Sequence, residues 1–161
     1  MKYCTSLLSR LVFSILICTA ASVVAAPYEV NQAVAPFDSK DQHEQAFTFK
    51  PADTNFLLVT HDMATGKSAN AVLTEIGQDK LAARKVVYMA NIFGMPGIGR
   101  FFAFPKMKKY AHRIILADDA ELITRFPVSE GKVTVLALSG GKVTSIKYWN
   151  PASEPLDGYL K

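Results

Sequence analysis

The residues best suited to chemistry stand directly after an apolar run. His61, Asp62 and Met63 follow the segment FLLVT, which predicts a buried strand at Phe56–Thr60. Ligand sites of α/β folds lie at the carboxyl ends of such strands, and imidazole and thioether groups are copper ligands. Asp118 ends a later apolar run, so we expect it at the same edge of the sheet. A copper site or metal-dependent redox site at the His61 loop is therefore one hypothesis. The simpler interpretation is a loop histidine bonded to Asp62 or solvent.

Two glycine-containing loops match nucleotide-binding motifs only in part. The segment TGKS at residues 65–68 lacks the first glycine of a phosphate-binding loop, because His61 occupies that position. We therefore interpret Thr65 or Ser68 as the cap of the following helix. The loop from Gly94 to Gly99 has its three glycines in the reverse of the dinucleotide spacing, and no acidic residue follows to hold a ribose. Flavin or nucleotide binding at this loop stays an alternative, but we expect no cofactor.

A basic and aromatic segment follows the glycine-rich loop. Residues 80–117 contain eight basic residues and no acidic residue, a composition that favours an anionic partner. Pro105 is expected to interrupt the helix, so its apolar side chains cannot all face one core. We predict a surface that contacts an unidentified protein or an anionic surface such as a membrane, and we expect no nucleic-acid partner. The residues of this candidate surface are Met95, Ile98, Arg100, Phe101, Lys106, Lys108 and Lys109.

Both cysteines, Cys4 and Cys18, stand near the amino terminus. A basic start, an apolar run at residues 11–17 and small residues up to Ala25 are typical of a secretory signal peptide. We expect cleavage after Ala25 and export to the periplasm. The mature chain would then contain no thiol and no transmembrane segment, so no thiol-disulfide or peroxidase activity is expected.

Hydrophobic periodicity predicts a single α/β domain at residues 26–161, with its core at about 38–161 and a loose arm before it. An N-terminal β-hairpin precedes elements in the order βαβαβαββα, which implies a mainly parallel sheet with an antiparallel edge. The predicted strands after the hairpin are residues 56–60, 85–90, 113–117, 133–138 and 143–148. The predicted helices are residues 68–84, a segment from about Arg100, residues 120–126 and a last helix after Asn150. We expect Leu58, Val87, Ile115 and Leu136 to be fully buried. His112 begins a strand, so it should lie at the opposite end of the sheet from His61.

Four segments give the chain a resemblance to a known family. They are TGKSA at residues 65–69, MPGIGRF at residues 95–101, ILAD at residues 115–118 and VTVLAL at residues 133–138. With them the chain resembles the YtfJ-type exported bacterial proteins, a cysteine-poor branch of the thioredoxin-like superfamily. This resemblance implies a thioredoxin-like mixed sheet, and it implies no particular activity. The more distant peroxiredoxin and Sco-type relatives share the layout, but this chain lacks their thiols and has Lys132 and Val133 where they have a cis-proline.

Overall fold

The computed structural model describes residues 26–161, so the predicted signal peptide and both cysteines lie outside the described residues. These residues form seven strands and four α-helices in an alternating order that confirms the predicted α/β class. The strands are β1 Phe37–Asp41, β2 Ala46–Phe49, β3 Phe56–Thr60, β4 Val86–Asn91, β5 Ile115–Ala117, β6 Val133–Ser139 and β7 Lys142–Trp149. The helices are α1 Met63–Ile76, α2 Gln78–Ala83, α3 Gly97–Met107 and α4 Ala120–Thr124, and short 3-10 turns lie at Pro51–Asp53 and Leu156–Gly158.

All seven strands belong to one mixed sheet in the order β2-β1-β5-β4-β3-β6-β7. The central strands β3, β4 and β5 run parallel, as expected for strands connected through helices. The N-terminal hairpin joins one side through β1 and β5, and the closing hairpin joins the other side through β6 and β3, both antiparallel. Apolar side chains on both faces of the sheet make two buried clusters. One cluster packs under α1, α2 and α3, and the other packs under α4 and the N-terminal arm.

The N-terminal arm is packed rather than loose, contrary to prediction. Tyr28 and Val34 are buried, and the Tyr28 ring lies 5.4 Å from the ring of Phe126. The backbone of the arm bonds to the open edge of β7, because Asn31 donates to the carbonyl of Val143 at 2.8 Å. The arm thus covers the first residues of this edge, which would otherwise expose unpaired backbone groups.

Two helices differ from the predicted ranges. Helix α1 begins five residues early, at Met63, because Asp62 and not Thr65 or Ser68 caps it. Gly77 divides the predicted helix at 68–84 into α1 and α2, and its φ of +84° is one that side-chain-bearing residues rarely adopt. Helix α3 continues through Pro105, where an interruption was predicted. Pro105 has no N–H group, so the carbonyl of Phe101, four residues earlier, lacks its helical donor. Phe101 and Pro105 are both exposed, so this break in the hydrogen bonding lies on the solvent side of α3.

Two further expectations were wrong in detail. The segment after β7 makes a turn and the 3-10 turn at Leu156–Gly158 instead of an α-helix. Pro155 supplies no backbone N–H there, and the indole of Trp149 donates to the carbonyl of Glu154 at 2.8 Å. Leu58, Ile115 and Leu136 are buried as predicted, but Val87 is only half-buried. β5 is short and pairs with β4 only from Met89 onward, so no β5 residue pairs beside Val87.

Within residues 26–161, no helix combines the length and the apolar composition that a membrane crossing requires.

Candidate functional site

A cleft of about 190 Å³ lies where the carboxyl ends of β3 and β4 meet the start of α1 and the inner side of α3. The parallel pairing of β3 with β4 brings these ends together, and Thr60 pairs with Ala90 there. Most of its lining surface is apolar, although about half of the lining residues also carry a polar group. This combination is typical of ligand-binding pockets, and α/β sheets place their ligands at this edge.

Asp62 fixes the start of α1 beside the cleft. Its carboxylate accepts a hydrogen bond from the Thr65 backbone N–H at 2.8 Å and another from the Thr65 hydroxyl at 2.6 Å. Partial burial would raise the pKa of Asp62, but these hydrogen bonds outweigh it and the net pKa is lowered. Asp62 is therefore an ionised helix cap, which accounts for an acidic residue at the end of β3 without a metal ligand role.

The predicted ligand residues of this loop separate in space. Asp62 and Met63 line the cleft, whereas His61 is half-buried toward β6, with Nε2 at 3.5 Å from the Thr134 hydroxyl. Burial lowers the pKa of His61, and the neighbouring Asp62 opposes that shift only in part. Within residues 26–161 no three histidine, cysteine or acidic side chains cluster in a way that could hold a metal ion.

Asp118 lines a different cavity, of about 530 Å³, together with Arg100, Phe104 and residues of β1. Both of its carboxylate oxygens accept hydrogen bonds from Arg100, each at 2.6 Å, and Arg100 lowers the pKa of Asp118. Arg100 also donates to the carbonyls of Ile92 and Met95. This arginine therefore ties the glycine-rich loop to the end of β5, and its charge is already committed.

A buried polar network lies beneath the cleft. The hydroxyls of Thr60 and Tyr88 are 3.2 Å apart, and burial raises the pKa of Tyr88. Asn70 donates from its amide nitrogen to the carbonyl of Gly66 at 2.8 Å, and its amide oxygen lies 2.9 Å from Nε2 of His112. Because that oxygen can only accept, His112 carries its proton on Nε2, and its buried Nδ1 has no hydrogen-bond partner among the described residues. Burial lowers the pKa of His112 to about 4.

The outer face of α3 carries the exposed part of the predicted partner surface. Ile98, Phe101 and Phe102 are 70%, 73% and 60% exposed, respectively. Phe104 and Met107 are half-buried and pack against the core, so the apolar residues of this helix divide between two faces as expected. Met95 is half-buried at the cleft, and its side chain is 3.2 Å from where a Cβ on Gly99 would stand.

Among the predicted basic residues, two take part in ion pairs. Arg100 binds Asp118, and Lys108 lies 3.6 Å from Glu44. Lys106 and Lys109 take part in none of the ion pairs of residues 26–161. The free charge of this surface is thus carried by Lys106 and Lys109.

Sequence reasoning missed two polar residues of the cleft, Asn70 and Tyr88. It placed His112 at the far end of the sheet from His61 and did not foresee its contact with Asn70. A signal was present in part, because Tyr88 interrupts the apolar run of β4 and Asn70 falls on the apolar face of α1. A polar side chain at a core position needs a hydrogen-bond partner, so such positions indicate a buried polar network. Nothing local indicated that the partner of Asn70 would be His112.

Comparisons with known proteins bear on the fold. No protein-family model matches the sequence, and no curated protein matches it. The structure is similar to peroxidoxin BcpB from Mycobacterium tuberculosis, with a TM-score of 0.55 and 10% identity over 81% of this chain and 93% of that one. It is similar to a peroxiredoxin-like protein from Aquifex aeolicus, with a TM-score of 0.54 and 13% identity over 85% and 86% of the two chains. It is also similar to the thioredoxin domain of a thiol-disulfide oxidoreductase from Bacteroides vulgatus, with a TM-score of 0.52 and 10% identity over 83% and 99%. The mixed sheet with helices on both faces is thus a thioredoxin-like α/β fold.

Proposed function

We propose that this chain acts by binding rather than by thiol chemistry, and that the outer face of α3 contacts an anionic membrane surface. The observation that carries the proposal is the exposure of Ile98, Phe101 and Phe102, which are 60 to 73% exposed on one helix. The thiol chemistry named for the similar structures does not transfer, because residues 26–161 contain no cysteine.

The three apolar side chains form one continuous group. Their spacing of three and four residues places them on the same side of a helix, and the rings of Phe101 and Phe102 meet edge to face at 5.4 Å. Exposed apolar groups of this kind, clustered rather than scattered, are a feature of interaction surfaces. Two phenylalanines and an isoleucine can enter the boundary between lipid head groups and acyl chains.

Charge favours an anionic lipid surface as the partner. Lys106 and Lys109 follow the apolar group along the same segment, and both are exposed. Without a salt bridge among the described residues, their ammonium groups are available to anionic head groups. A lipid surface also accommodates apolar side chains without a matching pocket, whereas a protein partner would need a complementary one.

Export and family are part of the same proposal. We propose that the chain is a YtfJ-type protein of the periplasm; the features that support this are the segments at residues 65–69, 95–101 and 133–138 and the signal-like start.

The prediction is that protein exported from a bacterial host begins at Ala26, since Val23 and Ala25 are the small residues expected before the cleavage site. Intact mass measurement of periplasmic protein checks this. A mass that retains residues 1–25 would contradict it.

Vesicle binding tests the contact surface. Protein beginning at Ala26 is expected to sediment with vesicles of phosphatidylcholine and phosphatidylglycerol, increasingly so with the anionic fraction, and to dissociate as salt is added. The double variant F101S/F102S is expected to lose at least tenfold in partition coefficient, and K106E/K109E is expected to lose the dependence on anionic lipid.

The matched control is Val128→Ser, which removes an apolar side chain of similar exposure outside α3. This variant is expected to bind like the unaltered protein. If all four proteins stay in the supernatant at low salt, the membrane proposal is wrong and α3 is left as a surface for a protein partner.

A further inference from the structure

The cleft between α1 and α3 has features that membrane binding by the outer face of α3 does not use. We propose that it binds a small aromatic carboxylate that carries a hydroxyl group. The inference does not rest on the membrane proposal, because the cleft lies on the inner side of α3 and shares only Lys106 with the residues proposed to contact the membrane.

The floor of the cleft presents hydroxyl groups. Thr60 and Tyr88 are 2% and 3% exposed, and both line the cleft. Their two hydroxyls are 3.2 Å apart, and the Thr60 hydroxyl also lies 3.5 Å from the carbonyl of Met89, so the protein can accept both protons while the hydroxyl oxygens keep lone pairs that can accept a further hydrogen bond. A hydroxyl group of a ligand can therefore hydrogen-bond to either of them. A wholly apolar ligand would gain no hydrogen bond from these oxygens, whereas a ligand hydroxyl would gain one.

Gly66 keeps this floor open. It is buried in α1, and a Cβ there would stand 3.7 Å from the Thr60 hydroxyl and 3.8 Å from that of Tyr88, which are ordinary contact distances. Alanine would therefore fit, and it stabilises a helix interior relative to glycine. Packing gives no reason for glycine at this position, whereas a ligand that reaches the two hydroxyls needs the space that a methyl group would fill.

The walls favour an aromatic ring. Three thioether side chains line the cleft, those of Met63, Met95 and Met107. Met63 is 64% exposed, so it does not serve to fill a gap in the core. Sulfur atoms make favourable contacts with aromatic rings. The volume of about 190 Å³ compares with about 150 Å³ for a cavity that holds benzene, so the occupant is a single substituted ring.

The mouth carries positive charge. Lys67 on α1 and Lys106 on α3 both line the cleft and are both exposed. Asp62 is the one acidic residue of the lining, and its oxygens are engaged by Thr65. A carboxylate at the mouth can therefore pair with ammonium groups from two sides, while the ring lies among the methionines and the hydroxyl reaches the floor.

The probe that tests this is 4-hydroxybenzoate, titrated by calorimetry and by NMR into protein beginning at Ala26. We expect saturable binding. The neutral analogue 4-hydroxybenzyl alcohol and the deoxy analogue benzoate are each expected to bind at least tenfold more weakly. Cyclohexanecarboxylate, which lacks the aromatic ring, is expected to bind more weakly than benzoate.

Two variants and one control decide between this site and adventitious binding. Gly66→Ala is expected to raise the melting temperature and to weaken 4-hydroxybenzoate at least tenfold, a combination that damage to the fold would not produce. Lys67→Gln is expected to weaken the acid but not the neutral analogue, and Lys147→Gln on β7 to change neither. Absence of saturation at millimolar probe, or affinities unchanged in Gly66→Ala and Lys67→Gln, would overturn the proposal. Vesicle binding by F101S/F102S is a separate readout, so either proposal can fail alone.

Discussion

Replacing Leu136 with alanine is expected to lower the free energy of unfolding by about 2 to 5 kcal/mol. Leu136 is fully buried in β6, where it pairs with Leu57 of β3 on one side and Ile146 of β7 on the other. Strands on both sides hold the surrounding backbone, so the structure cannot collapse into the space that the side chain leaves. Urea unfolding followed by circular dichroism measures the loss.

Leu122→Ala provides the matched comparison, since the same atoms are removed from a half-buried site on α4. Part of the Leu122 side chain already contacts water, so its loss should cost less than half as much. Equal losses at the two positions would mean that β6 is not a central strand of the sheet. The slope of the urea transition should stay the same in both variants, because neither changes the surface exposed on unfolding by much.

Acidification is expected to destabilise the protein through His112. The pKa of this imidazole is lowered from 6.5 to about 4 in the folded chain. Between those two pH values the unfolded chain binds a proton that the folded chain does not. The stabilisation is therefore complete above about pH 6.5 and is lost as the pH falls toward 4, a total of about 3 kcal/mol. Protonation of Nδ1 would leave a charge without a partner next to Tyr88 and Tyr110, whose rings lie within about 6 Å.

The measurement is the free energy of unfolding at several pH values from 7.5 to 4.5, in the unaltered protein and in His112→Gln. Glutamine can still donate to the amide oxygen of Asn70, but it does not titrate. The variant is expected to show a flatter pH dependence across this range, whatever its stability at neutral pH. Identical slopes in the two proteins would contradict the assignment. Three carboxylates also have lowered pKa values, and their contribution to the free energy of unfolding is lost only at a pH below that range. They are Asp41, Asp62 and Asp118.

The strands and the fold class could be predicted because their signals are local. The run FLLVT sets the bounds of β3, and the glycine pair between β6 and β7 defines their hairpin. Burial of a short strand depends on a few adjacent side chains, and a tight turn depends on two residues. Gly77 likewise marked the division between α1 and α2, because glycine is costly inside a helix and readily adopts positive φ.

Local signals also failed where several residues could serve the same purpose. Asp62, Thr65 and Ser68 are all good helix caps, and the sequence does not rank them. In the structure the end of β3 leaves Asp62 in extended backbone just before the helix, so its carboxylate reaches Thr65. Pro105 is unfavourable in an isolated helix, yet the packing of Phe104 and Met107 against the core keeps α3 continuous around it.

By itself, the sequence determined the alternation of strands and helices and the confinement of cysteine to the first 25 residues. Only the tertiary structure decided which polar groups meet. Asn70 and His112 are 42 residues apart in the chain, and the Thr60 and Tyr88 hydroxyls lie on two strands connected by α1 and α2. The same applies to Arg100, which could have served an anionic ligand but instead binds Asp118. Periodicity specifies which face of an element is apolar, whereas the neighbours of a polar group depend on how the crossover connections place one element against the next.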